Sequence, residues 1–227
     1  MKTGIPPARR GNSPIEAWRG EFGRACTDRN AWTLAEMEEK YRHTYGLSRT
    51  EMNRHQLEAL DRNLRILEVG ANIGNQLLCL QQMGFTSLYG IELQEYAVEL
   101  ARQRIRHINL LTGVAHDLPF KDGFFDLVFT SGVLIHIAPA EITAVLREIH
   151  RCTRRYIWGF EYFAERYTEV NYRGHDGLLW KTDFARLYLD TFPDLRLPRE
   201  DRYRYLGQDL TDTMFLLERI AAPASHQ

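Results

Sequence analysis

Residues 65–75 read Arg65-Ile66-Leu67-Glu68-Val69-Gly70-Ala71-Asn72-Ile73-Gly74-Asn75, and residues 76–83 continue with helical spacing as Gln-Leu-Leu-Cys-Leu-Gln-Gln-Met. A short apolar run closed by glycine reads as a strand, and Gly70 and Gly74 stand where a chain must turn tightly or approach a ligand with no Cβ in the way. Strand, turn and helix in that order open a βαβ unit, which commits the chain to a parallel sheet.

Working downstream, the alternation continues. Strands are expected at 88–93, 108–111, 125–130 and around 156–160. Between them Ala97, Leu100, Ala101 and Ile105, and later Ile142, Val145, Leu146 and Ile149, each mark one helical face that lies on the sheet. The C-terminal third turns aromatic and ends in a strand pair, DRYRYL at 201–206 and DTMFLLER at 212–219, which predicts an antiparallel edge on a mostly parallel seven-stranded sheet. Upstream, residues 15–60 read as a helical layer or lid, with Gly46 as a helix stop and Ser48-x-x-Glu51 as a capping box. Residues 1–14, with five Gly and Pro among polar neighbours, are expected to fray.

At 227 residues the chain fits one α/β domain over 15–227, and 44% hydrophobic with 26% charged residues excludes a disordered or low-complexity class. A net charge of -1 gives no global field for nucleic acid or an anionic membrane, and no segment approaches the length of an apolar membrane span. A soluble, cytoplasmic protein with a small-molecule partner is the expectation, with oligomeric state left open. Cys26, Cys79 and Cys152 are odd in number and widely spaced, so they predict reduced, buried thiols rather than disulfides or a zinc site, and no metal is called for.

The turn fails as a dinucleotide fingerprint, because G-x-G-x-x-G would need glycine at 72 and 75, where asparagine stands. No G-x-x-x-x-G-K-[ST] phosphate loop is present either. What remains, Glu68-x-Gly70-x-Asn72-x-Gly74, resembles the E/D-x-G-x-G-x-G motif of the class I S-adenosylmethionine (SAM) dependent methyltransferases. Asn72 departs from the middle glycine, but asparagine is the residue that best tolerates left-handed backbone after glycine. The resemblance continues in register: Glu92 stands 18 residues after Gly74, Gly113 to Phe120 is similar to the G-D-A-x-x-L-P-F stretch, and Phe125-Asp126-Leu127-Val128 precedes Val133-Leu134-Ile135-His136. Over roughly Trp18 to Glu218 the chain is similar to a clade named pseudaminic acid biosynthesis-associated methylases, a name that records gene neighbourhood. Arg24 to Cys26 depart from that clade within the lid.

The resemblance implies a Rossmann-like class I methyltransferase fold, SAM as cofactor, and a cofactor set of Glu68, Gly70, Ala71, Asn72, Gly74, Glu92, Leu93, Ala115, His116, Asp117, Ser131 and Val133. Glu92 would take the ribose hydroxyls. Val114 replaces the usual acid, so the adenine amine is left to backbone near Ala115 and His116 or to Asp117. Arg49 is the candidate for the methionine carboxylate.

Methyl transfer is an in-line displacement, so holding donor and acceptor in line does most of the work, with a general base adding about 10²- to 10⁴-fold where the acceptor carries a proton. His136 and Glu161, past the fourth and fifth strands, are the catalytic candidates. Tyr162, Tyr167, Tyr172, Arg173 and Lys181 are candidates for a substrate wall, with Arg173 to pair with a carboxylate or phosphate. The expected activity is methylation of a small polar metabolite, a sugar or nucleotide-sugar-derived intermediate. Another natural product as N- or O-acceptor, or a SAM-binding accessory protein without catalysis, are the alternatives.

Overall fold

The computed structural model describes residues 14–220. The expected tail therefore lies outside the described residues, save for Pro14, which opens the first helix.

Four helices come first: α1 (Pro14–Arg19), α2 (Glu21–Arg29), α3 (Leu34–Tyr45) and α4 (Arg49–Leu57). The expected helical layer is interrupted at Gly20, whose extended backbone ends α1 and starts α2 afresh. Gly46 closes α3 in left-handed backbone at φ 80°. At the start of α4 the Ser48 hydroxyl accepts from Glu51 N at 3.2 Å while Glu51 Oε2 accepts from Ser48 N at 2.7 Å, completing the expected capping box. Thr33 and Glu36 form a second box on α3 that the sequence reading passed over.

The alternating part follows as β1 (Arg65–Val69), α5 (Asn75–Gln82), β2 (Ser87–Glu92), α6 (Glu95–Arg104), β3 (Asn109–Thr112), β4 (Phe125–Ser131), a 3₁₀ turn (Leu134–His136), α7 (Ile142–Cys152) and β5 (Thr153–Tyr162). After a two-stranded ribbon of β6 (Thr168–Glu169) and β7 (Trp180–Lys181) come α8 (Phe184–Thr191), β8 (Leu195–Arg204) and β9 (Thr211–Arg219). The main sheet has seven strands in the order β3-β2-β1-β4-β5-β9-β8. Strands β1 to β5 pair in parallel, while β9 runs antiparallel to both β5 and β8. This is the Rossmann-like class I methyltransferase fold that the resemblance implied, with its antiparallel edge.

Two differences from the expected strands have physical reasons. β8 starts six residues earlier than expected, because Pro198 hides the strand in the sequence: it sits on the outermost strand, where a missing N–H is tolerated, within a register shift between Arg196 and Arg199. β5 reaches Tyr162, two residues beyond the expected end, because β9 continues to pair with it as far as Asp212.

The sheet buries both faces. Leu67, Val128, Ile157 and Leu217 point to a cluster under α7 and α8, while their neighbours Ile66, Leu127, Trp158 and Leu216 point to a second under α4, α5 and α6. Strand order runs outward from β1 through β2 and β3 on one side and from β4 on the other, so the switch point of the sheet lies between β1 and β4. A crevice must open there beyond the carboxyl ends of the strands.

Packing at the antiparallel edge is tight. Gly159 on β5 faces Phe215 on β9, and a Cβ at 159 would lie 2.2 Å from Phe215 Cζ. Gly159→Ala is expected to cost about 1–3 kcal/mol by overpacking, read as a lowered midpoint in equilibrium urea unfolding; an unchanged midpoint would contradict the strict fit.

Candidate active site

The turn after β1 carries three left-handed residues within five: Gly70 at φ 75°, Asn72 at 47° and Gly74 at 80°. Gly70 N and Ala71 N both donate to Ile91 O, at 2.8 and 3.0 Å, which ties the turn to the end of β2. A Cβ on Gly70 would come within 2.5 Å of Val133 Cγ2, so the β4 loop closes on the turn only because residue 70 is glycine. At the tip of β2, Glu92 accepts from Asn72 N through Oε2 at 2.7 Å and from Gln94 N through Oε1 at 2.8 Å. Burial raises the Glu92 carboxyl above its ordinary value, and those backbone donors pull it back down.

Over these strand ends lies a cavity of ≈ 550 Å³, roofed by α1–α3. Of the residues singled out in the sequence, Gly70, Asn72, Glu92, Leu93, Ala115, His116, Ser131, Val133, His136, Tyr162, Tyr172 and Arg173 line it together. Four lining residues have a buried polar atom with no hydrogen-bond partner among the described residues: Trp18 Nε1, Arg29 Nη2, Asn72 Oδ1 and His116 Nε2. Groups of this kind are costly in a dry interior and call for a polar ligand. Acceptors at Glu92 and Asn72, a ring nitrogen at His116 and glycine-lined backbone suit the ribose, amino acid and adenine parts of SAM, so the residues present fit the implied cofactor.

The other eight candidates stand off the cavity, each for a physical reason. Arg49 is 0% exposed: Nε donates to Asn53 Oδ1 at 2.8 Å, Nη1 to the Tyr41 hydroxyl at 3.1 Å and Nη2 to Ser131 Oγ at 3.2 Å, while the guanidinium lies over the Phe160 ring. It buttresses the wall from behind. Glu68 is sealed under the same region, where burial raises its carboxyl well above the ordinary value despite the nearby Arg49 charge. Ala71 is buried, and Gly74 sits at the start of α5 with its N–H on Ala71 O. The Asp117 side chain is exposed on the outside of the turn, so of the two options for the adenine amine the Asp117 carboxylate is not in reach.

Glu161, expected to meet the substrate, is 1% exposed and turns instead into the 3₁₀ segment after β4. Its Oε2 accepts from Val133 N at 3.0 Å and from Ile135 N at 3.5 Å. Burial pushes the carboxyl up to about 7 against those hydrogen bonds. Its place is to hold the loop that carries His136. Tyr167 packs on the core under α7 and α8, and Lys181 sits behind Tyr162, its ammonium 5.4 Å from that ring's centroid. Cys26, expected to be buried, is partly exposed and lines the cavity, whereas Cys79 and Cys152 are buried as expected and all three are free thiols.

His136 lies between the Trp18 ring at 4.2 Å and the Tyr172 ring at 5.4 Å. Its Nδ1 is 2.7 Å from Leu178 O, an atom that can only accept, so Nδ1 carries the proton and Nε2 keeps a lone pair. Burial lowers the imidazole to about 4, only partly offset by the Leu178 carbonyl, which keeps it neutral at physiological pH.

Sequence reasoning missed the far wall. Tyr41, Tyr45, Phe160, Tyr205 and Asp212 line the cavity beyond His136. Asp212, 2% exposed, accepts through Oδ2 from the Tyr45 hydroxyl at 2.5 Å and the Tyr205 hydroxyl at 3.1 Å, and burial raises it to about 6. The spacing of Tyr41 and Tyr45 on one face of α3 was a signal, but their partner is 167 residues from Tyr45 and nothing local points to it.

Residues 67–156 match the methyltransferase domain family. An uncharacterized methyltransferase of Synechocystis is 31% identical over 93 residues, which are 41% of this chain and 43% of that protein; the chain thus matches under half the length of this curated relative. Among solved structures, 1,6-didemethyltoxoflavin-N1-methyltransferase of Burkholderia thailandensis, with its substrate and S-adenosylhomocysteine bound, superposes with TM-score 0.69 at 16% identity, covering 95% of this chain and 94% of that one. The Haloferax volcanii putative methyltransferase, in complex with the Trm112 activator, gives 0.67 at 17% identity, covering 92% and 99%. The [4+2]-cyclase SpnF gives 0.60 at 16%, covering 76% and 80%, so the fold by itself does not carry the reaction. Among the described residues no helix is long and apolar enough to cross a membrane.

The buried carboxyls set a pH dependence of stability. Glu161 and Asp212 have folded values near 7 and 6 against ordinary values of 4.5 and 3.8, so the folded state holds their protons more tightly than the unfolded chain does. Their contribution is therefore fullest below about pH 4 and is lost as pH rises through 6 to 7. Urea unfolding at pH 5 to 8 is expected to show this fall in the native protein and a flatter profile in Glu161→Gln; parallel profiles would contradict the assignment to Glu161.

Proposed function

We propose that this chain, which carries a methyltransferase domain over residues 67–156 in a class I SAM-dependent fold, methylates a small polar acceptor, a sugar or nucleotide-sugar-derived intermediate. The observation that carries the reading is Glu92. Its buried carboxylate is fixed by Asn72 N and Gln94 N at the mouth of the cavity and keeps lone pairs for two further donors, as a ribose diol requires.

When bound, SAM supplies an electrophilic methyl on a sulfonium. The chain's own part is to hold and align. Gly70 and Asn72 let the backbone approach the amino acid portion, Glu92 takes the ribose, and Ala115 and His116 flank the adenine, with Leu93, Ser131 and Val133 completing the trough. With strand order β3-β2-β1-β4, a cofactor held by these residues would present its methyl on the β4 side of the cavity, where His136 and the aromatic wall stand. Walls that exclude water and fix the attack line can supply about 7–11 kcal/mol.

His136 Nε2 is the acceptor for the proton that leaves a hydroxyl or amine as it is methylated. Its fixed tautomer favours that role, although a value near 4 makes it a weak base, and Asp212 at about 6 stands on the same cavity to share the proton. Tyr162 and Tyr172 offer faces for a ring, and Arg173, exposed at the rim with a left-handed backbone at φ 53°, offers a guanidinium to a carboxylate or phosphate. Tyr167 and Lys181 support this wall from behind rather than touching the acceptor.

Calorimetry with S-adenosylhomocysteine tests the reading. Micromolar binding by the native protein, lost in Glu92→Ala, is expected; no binding by the native protein would sink it. With an acceptor found by screening nucleotide-linked and nonulosonic sugars, His136→Asn is expected to lower kcat by about 10²- to 10⁴-fold while S-adenosylhomocysteine binding persists.

A further inference from the structure

With Arg49 sealed behind the wall, the carboxylate of a bound cofactor lacks its expected partner. The rest of the trough fixes where that carboxylate must lie. Ribose at the tip of β2 and adenine beyond β3 leave the amino acid end over the β1 turn, under the α1–α2 layer. Three basic side chains line the cavity: Arg29, Lys40 and Arg173. Arg173 is exposed on the loop whose Tyr172 and His175 pack against Phe22 of α2, and Lys40 is exposed with its ammonium 4.1 Å from the centroid of the Trp32 ring.

Arg29 differs from both. It ends α2, and the next residue, Asn30, takes a hydrogen bond on its carbonyl from Asn75 Nδ2 at 3.0 Å, which docks this end of the helix on the start of α5, beside the motif turn. The Arg29 guanidinium stands beside the Cys26 thiol at the cavity wall, and its Nη2 is buried without a hydrogen-bond partner. A helix-end arginine serving only the helix dipole would point to solvent; a guanidinium nitrogen held dry at a cavity wall calls for an acceptor, and an anion suits its charge best.

The layer that carries Arg29 is lightly attached. α1 buries no residue and α2 buries only Gly23 and Thr27. Its ties are hydrogen bonds and ring contacts: Gln94 Nε2 shares its hydrogens among the carbonyls of Trp18, Arg19 and Gly20, the Tyr96 hydroxyl donates to Asp28 Oδ1 at 2.7 Å, and the Trp18 and Phe22 rings meet His136, Tyr172 and His175. Segments with few buried apolar contacts sit at the low end of local stability.

We propose that Arg29 is the partner of the cofactor's amino acid carboxylate, and that this ion pair fastens the α1–α2 layer over the active site. The proposal rests on the reading of the cavity as a SAM site and adds a fastening that cofactor binding completes. It gives the lid a second fastening, since Gln94, two residues beyond Glu92, holds the start of α2 while Arg29 holds its end through the ligand.

Two ligands separate the possibilities: S-adenosylhomocysteine, and 5′-methylthioadenosine, which keeps the nucleoside and lacks the amino acid. Calorimetry of the native protein, Arg29→Met and Arg29→Lys with each is expected to show a specific loss. Arg29→Met should weaken S-adenosylhomocysteine by about 10- to 100-fold, the range for a hydrogen bond to a charged group, and leave 5′-methylthioadenosine within about twofold; Arg29→Lys should recover part of the loss. Hydrogen exchange over residues 15–30 should slow when S-adenosylhomocysteine binds the native protein, but not with 5′-methylthioadenosine or in Arg29→Met. Equal weakening of both ligands, or of neither, would overturn the proposal while leaving the cofactor site in place. Failure of the native protein to bind either ligand would instead remove the SAM reading, and this proposal with it.

Discussion

The left-handed turn after β1 is the constraint around which the molecule is arranged. β1 is flanked by both β2 and β4, so the chain leaving it must fold back at once into α5, and it does so through Gly70, Asn72 and Gly74. A non-glycine residue in that conformation costs roughly 1–2 kcal/mol. At Asn72 the cost is offset by the hydrogen bond from its own N–H to the Glu92 carboxylate at 2.7 Å. One interaction thus holds the turn in shape and places an anionic acceptor where strand order reverses. A cofactor that engages Glu92 uses a group already fixed by the fold.

The misplaced candidates share a cause. Arg49 and Glu161 lie at the right ends of their elements, and position along the chain is what sequence supplies. Direction is not. On β5, Phe160 and Tyr162 line the cavity while Glu161 between them turns into the 3₁₀ segment, as the two-residue period of a strand demands. Arg49, in the first turn of α4, is drawn under the wall by Asn53 and Tyr41, its neighbours four and eight residues away. Both groups act on the site indirectly, one by holding the His136 loop and one by bracing Tyr41 and Ser131.

What could be read from sequence follows the range of the interactions. The parallel sheet, its antiparallel edge, the Gly46 stop and the Ser48 cap are local patterns, and each appears in the structure. Which residues of the four motifs share one cavity is nearly as legible, because each motif is a short stretch at or after a strand end. Pro198 obscured the start of β8, since a rule about strand interiors does not hold at a sheet edge. The Tyr45, Tyr205 and Asp212 cluster left no local trace, because it forms only when α3 meets the last two strands.

That division separates the two halves of the cavity. The trough is built from β1 to β4, whose geometry the packing of two core clusters fixes on both faces. The opposing wall is assembled from α1 to α3, the β6–β7 ribbon and the tip of β9, whose side chains meet across the cavity through hydrogen bonds and ring contacts and rest on the edges of those clusters. Within that cover Cys26 lies on the cavity itself. On the proposed function, acceptor choice therefore falls to the cover, while the sheet beneath sets the position of the cofactor trough.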